Sequence, residues 1–271
     1  MKGEDPMYDF AYHRPSSVAD AVKLLAADPD AKVMSGGMTL IPTLKQRLAR
    51  PSAIIDLSAI KDLVGISVSG NAVTIKAMTT HAAVASSAEV KKAIPALAAM
   101  AEHIGDAQVR NRGTIGGSIA NHDPAADYPG AVLALGATVH TNKRKIAADE
   151  FFTGMFSTAL AMDEILTAVE FPVPEKAAYV KFPNPASRYA MVGVFVAKGP
   201  AGVRVAITGA GANGVFRHHA MEEALARSWS PDALHDIGTA EDGLNGDIHA
   251  SKEYRAHLVG VMAKRAVAKA G

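Results

Sequence analysis

Apolar positions along the chain alternate between a helical and a strand period, and the switches are marked by Gly, Pro and Ser. Val18, Val22 and Leu25 recur at helical spacing behind Ser16 and Ser17, either of which can cap. Residues 31–34 read as a short buried strand that runs into Ser35-Gly36-Gly37-Met38-Thr39, and residues 40–48 as a helix with Pro42 tolerated in its first turn. Residues 53–57 read as a second strand. Residues 64–68 and 72–76 alternate around Ser69-Gly70-Asn71, the pattern of a hairpin. Helices are predicted over 80–85 and 89–104. The stretch 108–127 is rich in Gly and polar residues between apolar flanks, the composition of an ordered functional loop.

Residues 131–135, 137–141 and 165–171 continue an α+β pattern up to Pro172-Val173-Pro174, the best domain boundary in the sequence. Beyond it, strands are predicted over 190–198 and 203–208, and helices over 218–227 and 252–269.

Composition narrows the classes. The 271 residues are 49% hydrophobic and 20% charged, enough apolar content for a substantial core. A net charge of +1 gives no broad attraction to nucleic acid or to an anionic membrane. No apolar run is long enough to span a bilayer. The first fifteen residues are polar and broken by Pro6 and Pro15, unlike a signal peptide. With no Cys, the chain forms no disulfide and ligates no iron–sulfur cluster through its own thiolates, which fits a cytoplasmic location. Met7 is a second plausible start, so residues 1–6 read as a tag remnant or an alternative start.

Two glycine pairs carry the candidate chemistry. Gly36-Gly37 lies between a strand and a helix, where unpaired backbone N–H groups and the positive helix end favour an anion, and Ser35 and Thr39 add hydroxyls. Alone, that turn reads more readily as a tight connection without a ligand. Thr114-Ile115-Gly116-Gly117-Ser118 repeats the arrangement, and two such turns can hold a dinucleotide pyrophosphate from two sides. Asp127 offers an acceptor for hydroxyl groups or else caps a helix, and Arg110 and Arg112 can pair with phosphate or with surface carboxylates. Gly209-Ala210-Gly211-Ala212-Asn213-Gly214 matches a nicotinamide-dinucleotide fingerprint in form. A Rossmann unit also needs a βαβ crossover and an acidic residue after the second strand, and Asp232 reads instead as part of a helix start. The histidines form no metal-ligand pattern, and no nucleophile elbow or phosphate-binding P-loop is present.

Taken together, these motifs resemble the medium, flavin-binding subunits of the molybdenum hydroxylases, a family that includes xanthine dehydrogenases and aerobic carbon monoxide dehydrogenases. The resemblance covers the chain from Met7 onward. It is carried by Met7-Tyr8-Asp9-Phe10, His13-Arg14-Pro15, Ser35-Gly36-Gly37-Met38-Thr39-Leu40-Ile41-Pro42, residues 110–118 and Asp123-Pro124-Ala125-Ala126-Asp127. It implies an α+β fold: a vanillyl-alcohol-oxidase (PCMH) type FAD-binding domain over residues 7–174, with subdomains of about 7–58 and 59–174. A C-terminal domain over 175–271 would add three antiparallel strands and a helical bundle.

The same resemblance implies FAD as the cofactor. Val33, Met34, Ser35, Gly36, Gly37, Met38, Thr39 and Leu40 would wrap its pyrophosphate together with Thr114, Ile115, Gly116, Gly117 and Ser118. Asn121 would also contact FAD, and Asp127 would bind the ribityl chain or a neighbouring polar group. Leu166 would pack near the flavin, Lys181 would lie near the pyrimidine edge of its ring, and Tyr189 near the ring face. No residue of this chain would be catalytic in its own right. The implied partners are a large subunit with a molybdopterin-type molybdenum cofactor and a small subunit with iron–sulfur clusters, assembled as a dimer of heterotrimers.

The sequence departs from the family at Met38, where a polar His or Gln is common, and in the unusual Phe182-Pro183-Asn184-Pro185 segment. The lack of Cys excludes the cluster-bearing insertion of the 4-hydroxybenzoyl-CoA reductase branch. Two other readings are a stand-alone flavin oxidoreductase of the same fold, with its own substrate pocket and base, and a scaffold subunit that has lost FAD.

Overall fold

The computed structural model describes residues 7–271; residues 1–6, the possible tag remnant, lie outside the described residues. The described residues build three main sheets in chain order, each covered by helices, and a two-stranded hairpin of Phe152–Gly154 and Ser157–Thr158.

The first is a small parallel sheet. Ala53–Asp56 is its middle strand, flanked by Ala11–His13 and Lys32–Met34. The helix Val18–Ala27 makes the crossover, and its cap is Ser17, whose hydroxyl accepts from Asp20 N at 3.1 Å. Ala21 and Leu25 are buried against Ile55, Leu57, Ile60 and Leu63, whereas Val18 and Val22 sit at the margin of that core. Ala53–Asp56 is buried on both faces, as a central parallel strand requires. The helix predicted over 40–48 is shorter, Leu40–Lys45.

The second sheet is antiparallel, in the order Ile66–Ser69, Ala72–Lys76, Leu166–Pro172, Thr138–Thr141, Lys145–Ala147. Val73, Ile75, Val139, Ile146, Val169 and Phe171 alternate onto one face and share a core with the helices Pro95–Glu102, Ile115–Asn121 and Tyr128–Ala134. Two expectations fail here. The helix predicted over 89–104 is two helices, Ala88–Ala93 and Pro95–Glu102, broken at Ile94 with φ −138° and ψ 72°. Pro95 forces its predecessor out of the helical region and then starts the second helix, where its missing N–H costs nothing.

The predicted loop 108–127 is mostly helical, as Ala107–Arg112 and Ile115–Asn121. Asp106 and Thr114 cap the two helices, accepting from Val109 N at 2.8 Å and Gly117 N at 3.0 Å. Burial of Ile115 and Ile119 offsets the poor helix propensity of the glycines.

The third sheet is an antiparallel meander of Lys176–Pro183, Ala190–Gly199, Gly202–Thr208 and Phe216–Arg217. Three strands were expected; the fourth is a two-residue stub. The expected helical layer is formed by the helices His219–Arg227 and Lys252–Ala270 and the 3₁₀ turn Pro231–Leu234, which cover one face. Tyr179, Phe195, Ala197 and Ala206 face the other way, into the core of the second sheet. The middle strand is therefore buried on both sides, which is why residues 190–197 read as a continuous apolar run. The glycine motif 209–214 is a turn between antiparallel strands, with φ +82° at Gly209, and no helix follows it before Phe216–Arg217. The nicotinamide reading is thereby removed, and Asp232 lies in the 3₁₀ turn. Among the described residues, no helix is long and apolar enough to cross a membrane.

Candidate cofactor cavity

A cavity of about 580 Å³ opens between the first two sheets and the start of the third. The strand Lys32–Met34 delivers the first glycine turn to its wall, and Gly37 turns the chain with φ +74°. A Cβ on Gly36 would lie 2.7 Å from the carbonyl carbon of Arg112 and 2.9 Å from Gly113 Cα, so only glycine lets the two turns meet. Ser35 Oγ and Thr114 Oγ1 bridge them at 2.6 Å.

The two turns differ in the donors they offer. In the second turn the N–H groups of Ile115 and Gly116 bond Thr79 O at 3.1 Å and Ala77 O at 2.9 Å, while that of Gly117 bonds the Thr114 hydroxyl. Among the described residues, no acceptor takes the N–H groups of Gly36, Gly37, Met38, Thr39 or Leu40. An anion would thus find backbone donors in the first turn and hydroxyls, those of Thr114 and Ser118, in the second. That differs from the symmetric pair of backbone cradles expected from the sequence. Gly116 is glycine for a packing reason: its Cβ would lie 2.6 Å from Ala77 O.

The far wall is set by the third sheet. Asp127 is 4% exposed and accepts from Tyr179 Oη on one oxygen and from Lys181 Nζ, at 3.1 Å, on the other. Burial pushes its carboxyl above the usual range, against the opposing pull of Lys181 and Tyr179. Tyr189 is half exposed on the wall, carried by the turn in which Asn184 Oδ1 accepts from Ala186 N and Ser187 N. The unusual 182–185 segment is this turn, entered through a register shift at Phe182 and Pro183.

Val33 through Leu40, Thr114, Gly116, Gly117, Ser118, Asn121, Asp127, Leu166 and Tyr189 all line the cavity. Two candidates do not. Ile115 is fully buried in the core. Lys181 lies behind Asp127, with its ammonium also donating to His103 O at 2.9 Å.

Sequence reasoning passed over several lining residues, among them His81, Phe156, Glu164 and Arg188. His81 is 5% exposed, and burial, with Arg110 nearby, lowers its pKa to about 4, so the imidazole is neutral. Phe156 sits at a hairpin tip with φ +53°, its N–H held by His122 O at 3.1 Å. Glu164 is clamped by Arg144, Thr141 and Ala161 N, which hold its pKa at about 2. The one local signal was an apolar Met155-Phe156 pair beside Gly154; the others depend on tertiary approach.

Residues 8–174 match the family described as the FAD binding domain in molybdopterin dehydrogenase. The chain is 37% identical to the nicotine 6-hydroxylase medium subunit of Paenarthrobacter nicotinovorans, over 96% of each chain. It is 35% identical to the carbon monoxide dehydrogenase medium chain of Afipia carboxidovorans, again over 96% of each. Among solved structures, a chain of reconstituted CO dehydrogenase from Oligotropha carboxidovorans superposes with a TM-score of 0.90 at 34% identity, over 97% of this chain and 98% of that one.

Proposed function

The chain belongs to the FAD-binding domain family of the molybdopterin dehydrogenases, and from that premise we propose that it is the FAD-carrying, electron-transfer subunit of a molybdenum hydroxylase. The observation that carries the reading is the cavity. Two glycine turns that are far apart in sequence meet there, and the first presents five consecutive N–H groups that find no acceptor among the described residues. A dinucleotide needs such an anion site joined to a longer, largely apolar trough, and the volume suits a cofactor of that class.

FAD, when bound, supplies the exchange between one-electron carriers and a two-electron acceptor. The chain's own residues bind and orient. The first turn holds the pyrophosphate with its backbone, and Ser35, Thr114 and Ser118 add hydroxyls. Leu166 and Tyr189 contribute apolar and aromatic walls that keep water off the ring. Asp127 gives a hydrogen-bond acceptor, and Lys181 acts on the site through Asp127. Residues 7–174 form the FAD-binding domain, and 175–271 a C-terminal domain that closes the cavity.

The partners in this reading are a large molybdenum-bearing subunit, where the organic substrate is hydroxylated, and a small iron–sulfur subunit, which delivers electrons one at a time. The assembly is a dimer of heterotrimers in the cytoplasm. The relatives named as medium chain or medium subunit support a multi-subunit complex. Purification of the chain with co-expressed partner subunits, followed by an absorption spectrum, cofactor release and metal analysis, tests this. One FAD per chain with molybdenum and iron in the complex is expected. FAD on the chain alone, with oxidase activity on an organic donor and no partner, would replace this reading with a stand-alone enzyme.

A further inference from the structure

We infer that Tyr179 is a positioning residue for the cofactor cavity, holding the Asp127 carboxylate so that its free lone pairs face a hydrogen-bond-donating group of FAD; this rests on the FAD reading above. Tyr179 and Lys181 are two residues apart on the strand Lys176–Pro183 and so project from the same face. Both end on Asp127, the hydroxyl on Oδ1 and the ammonium on Oδ2. A carboxylate has about four acceptor positions, so these two bonds leave capacity on the cavity side, where Asp127 lines the wall.

The phenol is itself fixed. Its ring is tilted against Phe195, with centroids 6.0 Å apart. Across the ladder, Gly193 pairs with Lys181 in the middle of a buried strand. A Cβ there would lie 2.9 Å from Tyr179 Cζ and closer still to its hydroxyl. Glycine weakens a strand interior, so its presence at this position follows from the room the phenol takes up. Lys181 by contrast ends a flexible stem and divides its ammonium between Asp127 and His103 O. Of the two partners, the tyrosine is the one rigid enough to set the carboxylate's orientation.

The test titrates the full chain with FAD, following flavin fluorescence, for wild type, Tyr179→Phe, Asp127→Asn and the double variant, and measures the midpoint potential of the bound flavin in each. Tyr179→Phe is expected to weaken FAD binding about ten-fold. It should also lower the potential, because a carboxylate without its hydroxyl partner turns more negative charge toward the flavin. Asp127→Asn should raise the potential. In the Asp127→Asn background, loss of the hydroxyl should change FAD affinity less than about two-fold. Unchanged affinity and potential in Tyr179→Phe, or fully additive effects, would overturn this inference alone; a wild-type chain that binds no FAD would overturn both readings. Should Tyr179→Phe fail to fold, 3-fluorotyrosine at 179 keeps the shape and strengthens the donor. It is expected to raise the potential, and an unmoved potential would overturn the inference.

Discussion

Gly36 packs directly on the carbonyl of Arg112, joining two turns that are 76 positions apart in sequence, and a Cβ at residue 36 would sit 2.7 Å from the Arg112 carbonyl carbon. Both neighbours there are backbone, so neither can rotate away. Gly36→Ala is therefore expected to destabilise the chain by about 1–3 kcal/mol and to part the two turns. Thermal melts and an FAD titration of the same protein check this. A variant with wild-type stability and FAD affinity would show that the two turns need not touch.

The neutral, buried His81 makes stability depend on pH. Its folded pKa is about 4, below the ordinary 6.5, so the unfolded chain takes up the proton first as pH falls. The contribution is complete above pH 6.5 and is lost as pH drops through 4. Between pH 7.5 and 5 this is expected to cost about 2 kcal/mol. Urea midpoints at the two pH values measure it, and His81→Gln should flatten the difference. An imidazole resonance that titrates near 6.5 in the folded chain would contradict the assignment.

Glu164 acts in a more acid window. Its side chain is 1% exposed and its pKa of about 2 lies below the ordinary 4.5, chiefly through Arg144. Its stabilisation is full above pH 4.5 and is lost as pH falls toward 2. Arg144→Leu leaves the buried carboxylate with only Thr141 and Ala161 N, and a loss on the order of 2 kcal/mol at pH 7 is expected from denaturant unfolding. The variant should lose less stability than wild type between pH 4.5 and 2.

Arg255 ties the C-terminal helix to the third sheet. It is 4% exposed and donates to Met191 O at 2.6 Å, Gly209 O at 3.0 Å and Asp247 Oδ2 at 2.7 Å. Arg255→Met removes the donors and strands two buried carbonyls, for an expected cost of about 2–4 kcal/mol. Because Arg255 is not in the cavity wall, FAD affinity of the folded variant should match wild type. A fall in affinity equal to that of Gly36→Ala would show that the C-terminal domain shapes the cavity more directly.

The sequence by itself determined the first helix, the strands either side of the first glycine turn, both glycine pairs, the hairpin at Gly70 and the family. Each is a local matter: a period of apolar positions, a cap such as Ser17 or Thr114, a glycine pair beside hydroxyls. It passed over short strands such as Ala11–His13 and the longer Lys176–Pro183. It misread two stretches for local reasons as well. Pro95 is compatible with a helix start, so a single long helix and a broken one share one apolar pattern. The glycines of 113–117 look like a loop because their helix is stabilised by the buried Ile115 and Ile119 and not by propensity.

Tertiary structure alone decided how the cavity works. It spent the second turn's N–H groups on Ala77 and Thr79, leaving the first turn to offer backbone donors. It moved Lys181 behind Asp127, sank Ile115 into the core, and brought Tyr179, His81 and Glu164 to or behind the wall. None of these has a sequence signature. A hydrogen bond between strands and helices 50 residues apart, and the glycine that makes room for it, are set by packing distance, which no local pattern records.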